Sequence, residues 1–368
     1  MKSSAVWGLI LLCFFGSLNA QSRRSQTYSE SASTLEKKSS RLSPEPQLET
    51  TPTISNEDEE VIRVETDLIM VPTFIADRKG RSIGNIKKSE FKVYENGIEQ
   101  EVAYFAVDNQ PFTVALVLDT SYSSVFKISE IQYAAYEFIN QLKPEDKVMV
   151  VSFDQKPHVL CEPTNNRTAL KLAIESTSVG SGTGLYKTLN LILNEKLNRI
   201  SGRKAIVLLS DGVDTSSGKL TAQDVLESSS ETDVLVYSIQ YDTYDDVQKF
   251  NKQSAEIFYD ENDRPRIVKR SKIKGERRED YKAADEFLNN ISEQTGGTVY
   301  KVSTMLYLNS AFAQIADELR KIYILGYYPS VERKVDVRYA IKVRVYRPNL
   351  VIRARSGYIF NQNRSLIK

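Results

Sequence analysis

Five oxygen-bearing residues carry the chemistry that this chain's sequence offers. Asp119, Ser121 and Ser123 follow directly on the apolar run Phe112-Thr-Val-Ala-Leu-Val-Leu; Thr183 stands between Gly182 and Gly184; Asp211 stands between Ser210 and Gly212. Two carboxylates and three hydroxyls, with no nitrogen or sulfur among them, make a hard donor set that suits a divalent cation, Mg²⁺ first, with Mn²⁺ and Ca²⁺ as alternatives. So few anionic donors leave a bound cation enough net charge to attract a carboxylate from outside. Taken singly, each of these residues also suits a helix cap or a turn, so the metal reading rests on the five together.

Other chemistry is scarce. The chain has one histidine, His158, and two cysteines, Cys13 and Cys161. A structural zinc site normally takes four nitrogen and sulfur ligands, so one His and one mature Cys cannot form it. Hydrolysis through a nucleophile and base would have to pass through His158, and on a short extended segment His158 and Cys161, three apart, face opposite sides. The loop Gly180-Ser-Gly-Thr-Gly lacks the Gly-Lys-Ser/Thr ending of a phosphate loop. Asp154 and Asp214 lie near the five residues and are read as supporting or solvated.

An unbroken apolar run that stops at an acid predicts a buried parallel strand, whose carboxyl end is where open α/β sheets bind ligands. From residue 112 onward such strands alternate with helical patterns: strands over 114–118, 147–153, 204–209, 234–239 and 298–302, helices over 128–142, 167–176, 185–199, 220–229, 283–293 and 308–322. This alternation predicts a doubly wound, mostly parallel α/β sheet. Period-two patterns flank it on both sides, with the hairpin signal Asn96-Gly97 in the first flank. The two flanks together are expected to form one small β-sandwich, giving a β-module over 61–110, an α/β domain over 111–322 and closing strands over 323–368.

Residues 1–20 combine a charged start, a short apolar core and Ala20 before Gln21, the pattern of a secretory signal peptide. The apolar core is too short to span a membrane, which takes about 20 residues. Residues 21–60 are rich in Ser, Thr, Pro and Glu and read as a disordered tether. With 49 Lys and Arg against 48 Asp and Glu in 368 residues, the whole chain shows no bulk affinity for nucleic acid. Residues 241–282 form a long polar connection in which 264–278 is basic; it reads first as a solvated, mobile loop and second as a contact for an anionic surface.

The set Asp119-x-Ser121-x-Ser123, Thr183 and Asp211, in this order and context, resembles the metal-ion-dependent adhesion site of the von Willebrand factor type A domain. The wider chain resembles a secreted bacterial family in which such a domain lies between Phe91-Lys-Val-Tyr-Glu-Asn-Gly and Leu325-Gly-Tyr-Tyr-Pro. The resemblance implies that Ser121, Ser123 and Thr183 contact the metal, that Asp119 and Asp211 act directly or through water, and that one coordination position stays open for an Asp or Glu of a protein partner. It implies a secreted or surface-exposed, non-enzymatic adhesion or interaction protein. A scaffold subunit of a cell-envelope complex is the alternative, and a hydrolase ranks third.

Overall fold

The computed structural model describes residues 68–107, 111–121, 128–253, 257–259, 265–267 and 272–361. The signal-peptide and tether readings over 1–60, and the metal ligand read at Ser123, lie outside these residues. The chain enters through β1 (Ile69–Asp77), β2 (Phe91–Glu95), β3 (Ile98–Gln100) and β4 (Val102–Val107). Asn96 and Gly97, both at positive φ, turn β2 into β3, as the Asn-Gly signal requires.

The α/β segment follows. It begins with β5 (Phe112–Asp119), α1 (Ile128–Gln141), β6 (Lys147–Phe153), β7 (Pro157–Thr164), α2 (Arg167–Glu175) and α3 (Leu185–Leu191). It continues with β8 (Arg203–Ser210), α4 (Ala222–Ser230), β9 (Leu235–Tyr241), α5 (Tyr244–Gln253) and a small hairpin of β10 (Ile257–Tyr259) and β11 (Pro265–Ile267). It closes with α6 (Arg278–Thr295), β12 (Val299–Val302) and α7 (Met305–Arg320), before the chain returns to strands in β13 (Tyr323–Tyr327), β14 (Arg338–Val345), β15 (Leu350–Ala354) and β16 (Gly357–Ile359).

The central sheet runs β12-β9-β8-β5-β6-β7, parallel except for β7. Every residue of β5 is buried, because its two faces feed two cores. Val114, Leu116 and Leu118 pack with Ile131 and Phe138 of α1 and Phe312 of α7. Ala115 and Val117 pack on the other side with Leu189 of α3 and Leu288 of α6. From β5 the chain first builds outward to β6 and β7, then returns to lay β8 on β5's other side. The connection therefore changes direction between β5 and β8, which makes their carboxyl ends the switch point where such sheets bind ligands.

The flanks build two antiparallel four-stranded sheets, β15-β1-β13-β4 and β16-β14-β2-β3. Each mixes strands from before and after the α/β segment, and Val71, Ile75, Phe91, Val93, Leu325, Tyr327 and Ile341 share one core between them. The fold is thus the expected doubly wound sheet with a small sandwich built from both flanks.

Two local expectations change. The long polar connection contains a helix, α5, and α6 starts at Arg278, five residues before the apolar pattern resumes at Ala283. Asp280 explains the early start, since its Oδ2 accepts from the backbone of Arg277 at 3.1 Å and of Gly275 at 2.8 Å, capping amides that lack helical partners. The helix expected over 185–199 is α-helical only to Leu191 and continues as one π-turn over Ile192–Lys196, with Leu197 N donating to Ile192 O. Part of the basic stretch is engaged within the chain: Lys272 and Arg278 stand over the ring of Tyr244, and Lys274 lies 3.7 Å from Asp214. Among the described residues, no helix is long and apolar enough to cross a membrane.

Candidate metal centre

Parallel register brings the first two acids together. Leu118 of β5 sits opposite Leu209 of β8, so Asp119 and the Ser210-Asp211 pair leave the sheet side by side. Ser210 Oγ donates to Asp119 Oδ2 at 2.6 Å, while Ser121 offers its amide at 3.0 Å and its hydroxyl at 2.5 Å to Oδ1. Asp119 is fully buried and Asp211 nearly so. Burial pushes the Asp119 carboxyl up to about 7 and the charge of Asp211 adds to the rise, against the pull of the Ser121 and Ser210 hydrogen bonds. Two acids out of water beside each other form a pair that favours a shared positive charge.

Asp211 is held from a different direction. Its Oδ1 accepts from Val213 N at 3.0 Å and its Oδ2 from Thr243 Oγ1 at 2.6 Å. Thr243, fully buried just past β9, lies 3.0 Å from the hydroxyl of Tyr281 on α6. A threonine has one hydroxyl hydrogen and Asp211 takes it, so Tyr281 is the donor in the second contact. Burial, reinforced by the charge of Asp211, raises the Tyr281 hydroxyl above the ordinary tyrosine value and keeps that proton in place.

Thr183 arrives on the loop between α2 and α3, which is stitched to both neighbours. Gly180 N donates to Thr120 O beside β5, and Thr183 O accepts from the amides of Thr215 and Ser216 beyond β8. Thr183 N donates to Thr215 Oγ1 at 2.9 Å, and its own hydroxyl makes no hydrogen bond with any described residue. Gly184 is required by close approach, since a Cβ there would lie 2.6 Å from the carbonyl oxygen of Gln155. Gly212 is required twice over, by a φ of +83° and by Leu288, whose Cδ1 would lie 2.7 Å from a Cβ. Thr183 and Asp211 both open onto one cavity of about 270 Å³.

The residues read as neighbours of the site have loop-holding roles. Asp214 accepts from the amides of Tyr186, at the start of α3, and Ser217, and from the Ser217 hydroxyl. Asp154 accepts from Lys156 N and from His158 Nε2 at 2.9 Å. Cys161 is a free, half-buried thiol on β7, the edge strand farthest from β12.

Sequence reasoning missed Ser210, Thr243 and Tyr281 as partners of the two acids. Thr243 carried a usable signal, a hydroxyl just beyond a parallel strand at the same sheet end as Asp119 and Asp211. Tyr281 carried none, because it sits in a polar stretch and reaches the site only through the packing of α6 against the sheet.

The donor set fits a hard cation. Among the described residues no group of three or more His, Cys, Asp or Glu gathers as a metal cluster; the acids here come as a pair, completed by hydroxyls. That balance suits a cation that keeps waters and an open position, not one caged by carboxylates.

Residues 114–213 match the family model of the von Willebrand factor type A domain. No curated protein matches the chain. Among solved structures, the conserved hypothetical protein BatB from Bacteroides thetaiotaomicron is 14% identical, with 57% of this chain and 100% of that one covered and a TM-score of 0.41. The vWF domain of the type V pili tip protein Mfa5 from Porphyromonas gingivalis is 14% identical over 56% of this chain and 94% of its own, with a TM-score of 0.38. A von Willebrand factor type A protein from Catenulispora acidiphila is 11% identical over 82% and 75%, with a TM-score of 0.42. The segment that carries β5, β8 and the paired acids is thus the part of the chain that is similar to von Willebrand factor type A domains.

Proposed function

We propose that this protein is an exported, non-enzymatic adhesion or protein-interaction module that binds a partner's Asp or Glu through a divalent cation. Domains of this type serve protein interaction. The observation that carries the metal reading is the pairing of buried Asp119 and Asp211 at the switch point of the sheet, where Asp119 is approached by hydroxyls, an amide and a second carboxylate and, among the described residues, by no basic side chain within hydrogen-bond reach.

The residues that would hold the cation are Asp119, Ser121, Ser123, Thr183 and Asp211, and Mg²⁺ suits them best. The cation supplies the positive charge that draws in an external carboxylate. The chain's own residues prepare that step. Ser210 and Ser121 fix the Asp119 carboxylate, Thr243 and Tyr281 fix Asp211, and the unengaged hydroxyl of Thr183 remains available as a donor oxygen.

Calorimetric titration of Mg²⁺ or Mn²⁺ into the wild type and Asp119→Ala tests the assignment. Binding in the wild type and none in the variant is expected; equal affinity in both refutes it.

A further inference from the structure

Beside the metal centre lies a space that the cation does not need. The cavity of about 270 Å³ shares Gly182, Thr183 and Asp211 with the centre, and it is otherwise walled by the loop after β8, by α5, by the segment before α6 and by Tyr281. Three of those segments contribute apolar side chains: Val213, then Val247 and Phe250, then Ile273. Val213 is buried, Val247 half-buried, and Ile273 is 58% exposed although it lines the space. For scale, an apolar cavity of about 150 Å³ admits benzene, so this one accommodates an aliphatic or aromatic side chain of a partner.

Resting on the metal reading above, we infer that this cavity is a specificity subsite: it takes a Leu-, Ile- or Met-sized side chain of the partner protein, adjacent in the partner's chain to the acid that reaches the cation. Two features choose this occupant. Thr183 and Asp211 belong to both spaces, so a residue next to the coordinating acid is the part of a partner that comes within reach of the cavity. Among the described residues on the wall, the acids Asp211, Asp246 and Glu276 outnumber the cation Lys274, so a second acidic side chain is disfavoured there, while the apolar members gain from covering Ile273. The subsite depends on α5 and on the residues just before α6, which belong to the long connection between β9 and β12 rather than to the residues 114–213 that match the family model.

Three short peptides separate the outcomes when titrated by calorimetry or ligand-observed NMR at saturating Mg²⁺: Ac-Gly-Asp-Gly-NH2, Ac-Leu-Asp-Leu-NH2 and Ac-Lys-Asp-Lys-NH2. Burying one such side chain is worth roughly a tenfold gain or more, so the leucine peptide is expected to bind at least about tenfold tighter than the glycine peptide. Val247→Trp, which fills the cavity from α5, and Ile273→Asp, at an exposed position, are each expected to erase that advantage while Mg²⁺ affinity stays within about twofold of wild type. Equal binding of the leucine and glycine peptides, preference for the lysine peptide, an advantage that survives both variants, or no peptide binding by Mg²⁺-loaded protein overturns the subsite. Failure of Mg²⁺ to bind, with the leucine preference intact and sensitive to Val247→Trp, retains the subsite and removes the cation reading instead.

Discussion

Two of the buried carboxylates that accept side-chain hydroxyls, Glu95 and Asp119, do opposite work. Glu95 of the sandwich is 4% exposed, and its Oε2 accepts from the hydroxyls of Tyr327 at 2.6 Å and Tyr358 at 2.9 Å. Those donors come from β13 and β16 and the acceptor from β2, so the acid ties strands of both flanks across the sandwich core. Asp119 also accepts hydroxyls, from Ser121 and Ser210, yet a second acid, Asp211, stands near enough to raise its pKa. The difference shows what separates a clasp from a site. Glu95 is met by neutral donors, whereas Asp119 shares its buried place with a second acid, the charge that the proposed cation would offset.

The largest expected effect falls on the clasp. Glu95→Ala leaves two buried tyrosine hydroxyls without their acceptor and is expected to cost roughly 2–6 kcal/mol, from about 1–3 per orphaned group. Urea unfolding should give the same loss with and without Mg²⁺; a loss that Mg²⁺ reverses would erase the distinction drawn between the two acids. Asp119→Asn should behave in the opposite way. In chelator at pH 8 it is expected to gain about 1–3 kcal/mol, because the wild type must keep a buried anion beside another. It should forfeit the stabilisation of about 2.7 kcal/mol that Mg²⁺ at a hundred times its Kd gives the wild type. A variant less stable than wild type in chelator would place Asp119 with Glu95.

The third test concerns pH. Burial raises the folded-state pKa of Asp119 above its ordinary 3.8, to about 7. Across that window the folded metal-free protein retains a proton that the unfolded chain has released. Its contribution is therefore fully present below about pH 4 and is lost as pH rises to about 7, at about 1.4 kcal/mol per pH unit. The same proton competes with the cation, so Mg²⁺ affinity should rise with pH over that window. Both trends should vanish in Asp119→Asn, and their survival there would assign them to another group.

The smallest effect concerns how Asp211 is held. Thr243→Ala should weaken Mg²⁺ binding by about tenfold, at the low end for a residue that orients a metal ligand, with Thr243→Ser restoring it. Tyr281→Phe should cost a few-fold, as expected for one hydrogen bond worth about 1 kcal/mol. A Thr243→Ser variant as weak as Thr243→Ala would show that the threonine methyl, not its hydroxyl, does the holding.

These contrasts also mark how far the sequence could be read. β5 and β8 were legible because strands buried on both faces must be apolar throughout, and an acid directly after such a run is conspicuous. Their adjacency was legible too, since alternating strands and helices imply a parallel sheet with one switch point. α5 was not legible: its polar composition resembles a loop, and its apolar members, Val247 and Phe250, face a cavity, leaving no core-facing stripe. The partners of Asp211 escaped for another reason. Thr243 and Tyr281 are 32 and 70 positions from it in the chain, counted from 211 to 243 and to 281; the pairing of β8 with β9 brings the first beside Asp211, and the packing of α6 against the end of the sheet brings the second. Glu95 shares the inward face that the period-two pattern assigns to Phe91 and Val93, but nothing in the sequence pointed to the two tyrosines it meets there.

The interleaving of the two flanks has a consequence for the order of events during synthesis. β1 pairs with β13 at Ile69 and Tyr327, 258 positions later by subtraction, and β2 pairs with β14. At about 5–20 residues per second, the first strands emerge roughly 13–50 s before the strands that complete their sheets. The strands and helices of the α/β segment pair with one another before β13 emerges, so that segment can close while β1 to β4 still lack their later partners. The sandwich is thus the last part to assemble, and a chain truncated before β13 would carry open strand edges however well its α/β segment had closed.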